Sequence, residues 1–131
     1  MTPSPFSVTR FHKSLRHALR GVGRLFASEP NARIHLLFCI LVPVAGWLLK
    51  VSTVEWIALL ICIGAVLAAE AFNTALEALA DRISTEYSPL IRDAKDLSAG
   101  AVLILAIMSA TVGLIIFLPK LGAILGTSGM S

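Results

Sequence analysis

The feature that most constrains this chain is a succession of three long apolar runs within only 131 residues. They read as helices at about 34–50, 54–83 and 90–118. An α-helix needs ~20 predominantly apolar residues to cross the ~30 Å hydrocarbon core of a bilayer. Composition agrees: 56% of the residues are hydrophobic and only 15% charged, with a mean hydropathy of +0.84, whereas a water-soluble domain carries about a quarter charged residues. The predicted fold is an all-α membrane protein. It has three transmembrane helices plus an N-terminal amphipathic interfacial helix, in a single domain over residues 1–131. No short apolar core with a small-residue cleavage site opens the chain, so all three runs are expected to remain in the mature protein.

The segment at about 6–27 has a different pattern. At about 100° per residue, Phe11, Leu15, Ala18, Val22, Leu25 and Phe26 fall on one side, and Lys13, Arg16, Arg20 and Arg24 on the other. That division suits a helix lying in the membrane interface, its cations at lipid phosphates. Ser28-Glu29-Pro30-Asn31 interrupts it, because Pro30 disfavours helix at Glu29. Lys50-Val51-Ser52-Thr53 reads as a tight turn, 84–88 as a loop, and Pro119-Lys120 as the close of the last span, with a disordered tail after it. Cys39 and Cys62 lie inside apolar runs, without metal-ligand or redox spacing, and read as small hydrophobes.

Basic residues crowd the segment before the first span and the loop between spans two and three, while Lys50 and Lys120 stand alone on the other side. Positive-inside bias puts the amphipathic helix and that loop in the cytoplasm. The basic residues are not interleaved with exposed aromatics, so the net charge of +3 points to anionic lipid rather than nucleic acid.

The second run carries the chemistry. At ~1.5 Å per residue a helix over 54–83 is roughly 45 Å long, so one end projects beyond the hydrocarbon. Along that end stand Glu70, Asn73, Glu77 and Asp81, at helical angles of about 0°, −60°, −20° and +20°. Three carboxylates on one stripe repel each other and call for a cationic partner, for which a divalent metal is the natural candidate. Asp81 could simply face water. Glu70 follows an unbroken apolar run, and an intramembrane carboxylate is a functional candidate by default. Span three opens on Arg92-Asp93-Ala94-Lys95-Asp96. A short loop makes spans two and three antiparallel neighbours, bringing Lys95 and Asp96 to the depth of the stripe. Lys95 then serves either phosphate oxygens or an ordinary salt bridge to a span-two carboxylate. Glu29 is a further carboxylate on that side, and His35 reads as a boundary residue rather than a ligand. No Walker loop, GxGxxG, HRD or DFG element occurs.

Glu70-x-x-Asn73-Thr74-Ala75-x-Glu77-x-x-x-Asp81-Arg82, followed by Glu86-Tyr87, Ala94-Lys95-Asp96 and a small-residue run through Ala101-Val102, resembles the bacterial membrane diacylglycerol kinase/undecaprenol kinase family over about 8–119. The resemblance implies a lipid kinase of the bacterial inner membrane. Such an enzyme transfers the γ-phosphate of ATP to a lipid alcohol, with Mg²⁺, in a homotrimer whose cytoplasmic active sites are shared between protomers. It further implies Glu70 as general base in contact with the lipid hydroxyl, Glu29 and Glu77 as Mg²⁺ ligands, and Asn73 positioning Glu70 or a phosphate. Lys95 would contact phosphate, Asp81 and Asp96 would order the nucleotide, Arg10, Glu86 and Tyr87 would lie on the nucleotide side, and Ser98 would lie near the lipid substrate. Phosphoryl transfer asks mainly for positioning and charge neutralisation, which such a set supplies.

Asn31-Ala32-Arg33-Ile34-His35-Leu36, Pro89-Leu90, Ser98-Ala99-Gly100-Ala101-Val102 and Ile116-Phe117-Leu118-Pro119-Lys120 are similar to the undecaprenol kinase branch, although Ser88 stands where that branch usually has His. Asp81-Arg82-Ile83 and Glu86-Tyr87 also fit the diacylglycerol branch. Undecaprenol is the favoured acceptor, with diacylglycerol as the alternative. A different class, an ion- or proton-handling bundle, gains from Glu70 but not from charges gathered at one face.

Overall fold

The computed structural model describes residues 7–28, 30–83 and 87–127. They form four helices: α1 (Val8–Ser28), α2 (Pro30–Leu48), α3 (Thr53–Ile83) and α4 (Pro89–Thr127). The last three are each long and apolar enough to cross a membrane. The chain is thus an all-α membrane protein with an amphipathic helix ahead of three spans.

On α1, Phe11, Leu15, Leu19 and Val22 are exposed while Leu25 is buried, so most of its apolar face is left for lipid. A side chain of α2 reaches back to its C-terminus. Arg33 donates from Nε to the carbonyl of Phe26 (3.2 Å) and from Nη2 to that of Ala27 (2.8 Å), supplying the donors that terminal helix carbonyls lack.

The α2–α3 turn is defined in detail. Lys50 adopts φ 51°, its N–H donates to Trp47 O at 3.3 Å, and that of Val51 donates to Gly46 O at 3.0 Å. This pair of bonds ends a helix through a left-handed residue. Ser52 then caps α3 reciprocally: its N–H donates to Glu55 Oε2 (2.6 Å) and its Oγ accepts from Glu55 N–H (3.3 Å), a capping box. Gly46 is needed there, because a Cβ would lie 2.8 Å from the Trp56 ring.

Helices α3 and α4 pack antiparallel along their length, the most extensive helix pair in the chain. The buried cluster of Val51, Leu59 and Ile116, with Val42, Trp56, Val112 and Phe117 against it, lies toward the α2–α3 turn. Lys120 Nζ reaches Glu55 Oε2 at 3.1 Å at that end.

Two boundaries differ from expectation. Helix α2 starts at Pro30 rather than near 34, since proline suits the first helical position. Helix α4 does not close at Pro119-Lys120 but continues to Thr127. Proline removes one backbone donor and need only kink a helix, and the apolar Leu121, Ile124 and Leu125 continue the pattern beyond it.

Candidate active site

The expected stripe forms, and its members turn to two different neighbours. Glu70 is buried, at 4% exposure, within the apolar part of α3. Its Oε1 lies 3.0 Å from Nε2 of His35 on α2. At ~1.5 Å per residue, Glu70 stands roughly 22 Å along α3 from Glu55, and Asp81 roughly 39 Å. With a core of ~30 Å beginning near the Glu55–Lys120 pair, Glu70 falls inside the apolar zone and Asp81 beyond it. A carboxylate that deep is costly without a partner, and His35 provides one.

The remaining polar residues of the stripe face α4. Asn73 Nδ2 donates to Glu77 Oε1 at 3.0 Å, and Ser98 Oγ donates to Asn73 Oδ1. Further toward the loop, Lys95 Nζ lies 2.8 Å from Asp81 Oδ1. Asn73 therefore works as a bridge, fixing Glu77 while held by Ser98. Lys95, one of the residues expected at phosphate, sits in the salt bridge that was the simpler reading of it. Thr74 Oγ1 is buried with no hydrogen-bond partner among the described residues, one turn along α3 from Glu70.

Not every expected residue joins this column. Asp96 is exposed and lies 3.6 Å from Arg92 Nε. With Asp93, Leu97, Gly100, Ala101 and Ile104 it lines a groove on a different face of α4. Arg10 is exposed near the start of α1 and Tyr87 just ahead of α4. Glu29 and Glu86 lie outside the described residues. Among the described residues, no three His, Cys, Asp or Glu side chains converge as a metal cage. Magnesium usually uses one or two carboxylates together with substrate phosphates. Glu77, half-buried with one oxygen held by an amide, fits such a role.

His35 is the member that sequence reasoning set aside. A signal was available: it is the only His, Asp, Glu, Lys or Arg between residues 34 and 49, and ionisable groups in apolar spans are seldom incidental.

Comparison with known proteins extends this picture. The model of the prokaryotic diacylglycerol kinase family matches residues 16–117, a range that holds every described site residue above except Arg10. An undecaprenol kinase of Bacillus subtilis is 40% identical over 114 residues, covering 87% of this chain and 93% of that protein. A diacylglycerol kinase of Synechocystis is 38% identical over 109 residues, covering 82% of this chain and 62% of that protein. A diacylglycerol kinase of Pseudomonas aeruginosa is 36% identical over 106 residues, covering 77% and 85% respectively.

Proposed function

The chain belongs to the prokaryotic diacylglycerol kinase family, an integral membrane lipid kinase with ATP as co-substrate and a lipid alcohol as acceptor, and on that premise we propose that its acceptor is undecaprenol and its general base Glu70. The observation that carries the base assignment is Glu70 itself, the one carboxylate buried among the described residues, inside the apolar zone and two helical turns from Glu77. A lipid hydroxyl reaches that depth from the bilayer, and a nucleotide reaches Glu77 and Asp81 from water. The acceptor assignment is supported by the similarity to the undecaprenol kinase of B. subtilis and by the Asn31–Leu36, Ser98–Val102 and Ile116–Lys120 segments. Diacylglycerol is the alternative.

In this reading Glu70 takes the hydroxyl proton as the alcohol oxygen attacks the γ-phosphorus, and ADP leaves with the bridging oxygen. Asn73 fixes Glu77, which with Glu29 would hold Mg²⁺, and the ion would supply charge neutralisation at the phosphates. Lys95 and Asp81 order the nucleotide side, and Ser98, which holds Asn73, itself lies near the lipid hydroxyl. Arg10, Glu86, Tyr87 and Asp96 complete the nucleotide site. Asp96 does so from a neighbouring protomer, because within one chain it faces away from the α3 stripe. The small-residue groove around Gly100 and Ala101 suits close helix packing in lipid and is the reason to expect a homotrimer with shared sites. The cation bias puts α1 and the α3–α4 loop on the cytoplasmic side of the bacterial inner membrane.

The test is phosphorylation by purified protein in vesicles from radiolabelled ATP, with undecaprenol and diacylglycerol offered side by side and products resolved by thin-layer chromatography. Labelled polyprenyl phosphate is expected to dominate. Glu70→Gln should abolish turnover while the assembly on size exclusion stays unchanged. Undiminished turnover in that variant would overturn the base assignment, and preferential labelling of phosphatidic acid would overturn the acceptor assignment.

A further inference from the structure

We propose that His35 is a positioning residue for phosphoryl transfer: its Nε2–H holds Oε1 of Glu70, so that the other carboxylate oxygen is presented to the acceptor hydroxyl. The proposal rests on Glu70 being the base. It is carried by three observations.

The first is the contact itself. His35 Nε2 lies 3.0 Å from Glu70 Oε1, with the Glu70 side chain 5% exposed and that of His35 22%. A buried carboxylate must be hydrogen-bonded or paired. The nearby cations are committed elsewhere: Lys95 is on Asp81, and Arg33 is on the α1 carbonyls. The second is the direction of Asn73, the other residue expected to position Glu70. Its amide nitrogen goes to Glu77 and its oxygen receives Ser98, so Asn73 serves the metal side and Glu70 is left to His35. The third is the rigidity of the imidazole's base. Arg33, two residues earlier on α2, is fastened to the end of α1 by two hydrogen bonds, so the first turn of α2, just ahead of His35, is anchored. Thr74 Oγ1, buried with no partner among the described residues, leaves a donor in the same stripe for an incoming oxygen.

The chemistry follows from holding one oxygen still. A carboxylate rotating about its last torsion offers either oxygen in many directions, whereas one pinned at Oε1 points Oε2 in a single direction. In the transfer the alcohol O–H bond breaks and its proton goes to Oε2. The alcohol oxygen bonds to the γ-phosphorus, and the bond from that phosphorus to the β–γ bridging oxygen breaks, releasing ADP. His35 takes no part in this proton transfer.

The test compares full-length protein in vesicles with His35→Leu, His35→Ala and His35→Gln, using undecaprenol and radiolabelled ATP. A glutamine amide can place a donor near the position of Nε2. Losing a hydrogen bond to a charged group predicts that Leu and Ala lower kcat by roughly tenfold to a hundredfold, with KM for ATP unchanged. His35→Gln is expected to stay within about threefold of the parent, since the donor is kept. A donorless variant with unchanged kcat overturns the proposal. So does a Gln variant as impaired as Ala, because the donor would then not be what matters. If the Leu variant fails to assemble, the Ala–Gln pair carries the comparison. Glu70→Gln, run in parallel, separates the two claims. Its full activity would sink the base assignment, whereas its inactivity beside unaffected His35 variants would sink only the role of His35.

Discussion

The two ends of the α3–α4 hairpin are each closed by a lysine of α4 on a carboxylate of α3, and they are built on opposite principles. Lys120 and Glu55 are about equally shielded, at 26% and 27% exposure. Their pair sits over the Val51, Leu59 and Ile116 cluster, and Glu55 also caps its own helix. At the charged end Lys95 meets an Asp81 that is 69% exposed, and beneath it lies a polar column: Ser98, Asn73, Glu77, then Glu70 and His35. One end is held shut by packing and turn geometry. The other is held by polar contacts whose partners a phosphate, a metal ion or a hydroxyl can replace. Ligand-handling regions are commonly drawn from the less tightly packed parts of a fold, and the hairpin separates the two tasks by about 20–40 Å along one helix.

Substitutions at the two ends should therefore behave differently. Apart from Glu70 itself, the largest effect is expected at Asn73→Ala, which releases Glu77 and Ser98 together. Turnover should fall by roughly a hundredfold or more, read as lipid phosphorylation, with little change in thermal unfolding. Gly46→Val, at the opposite end, should do the reverse. The Trp56 ring must move to admit the side chain, at a cost of about 1–3 kcal/mol, measured by unfolding in detergent. Activity per folded molecule should be unchanged, and a fall in kcat there would break the division between the two ends. Asp81→Asn releases Lys95 and should raise KM for ATP by roughly threefold to tenfold, leaving kcat and the melting temperature nearly unmoved. The smallest effect belongs to Lys120→Met, for which the melting temperature should drop by about 2 °C, less in high salt, with normal turnover. A large activity loss in that variant would mean that the ends communicate.

Much of this was legible in the residues. The Glu70–Asn73–Glu77–Asp81 stripe follows from helical periodicity, the overlong α3 from its count of residues, and the meeting of Lys95 with the stripe from the shortness of the connecting loop. The turn at 50–53 was legible too, although not its use of a lysine at positive φ. The rest has identifiable physical causes. Pro119 reads as a stop, but a proline late in an apolar helix costs one backbone bond while the apolar residues beyond it still favour helix. The partner of His35 is not legible locally, because the rotation of α2 about its own axis is not encoded in its own residues. Lys95 and Asp96 are adjacent in sequence, yet neighbours on a helix are ~100° apart and point to different faces, which is why only Lys95 meets the α3 stripe within one chain.

From the sequence alone came the solvent, the number of spans, the amphipathic first helix and the acidic stripe. Each of these depends on composition or on a period that a single helix imposes on its own side chains. Tertiary structure decided the pairings: Glu70 with His35 rather than Asn73, Asn73 with Glu77 and Ser98, and Lys95 with Asp81. Those choices depend on how three helices are turned toward one another, which is settled by packing such as Gly46 against Trp56 and by no local rule.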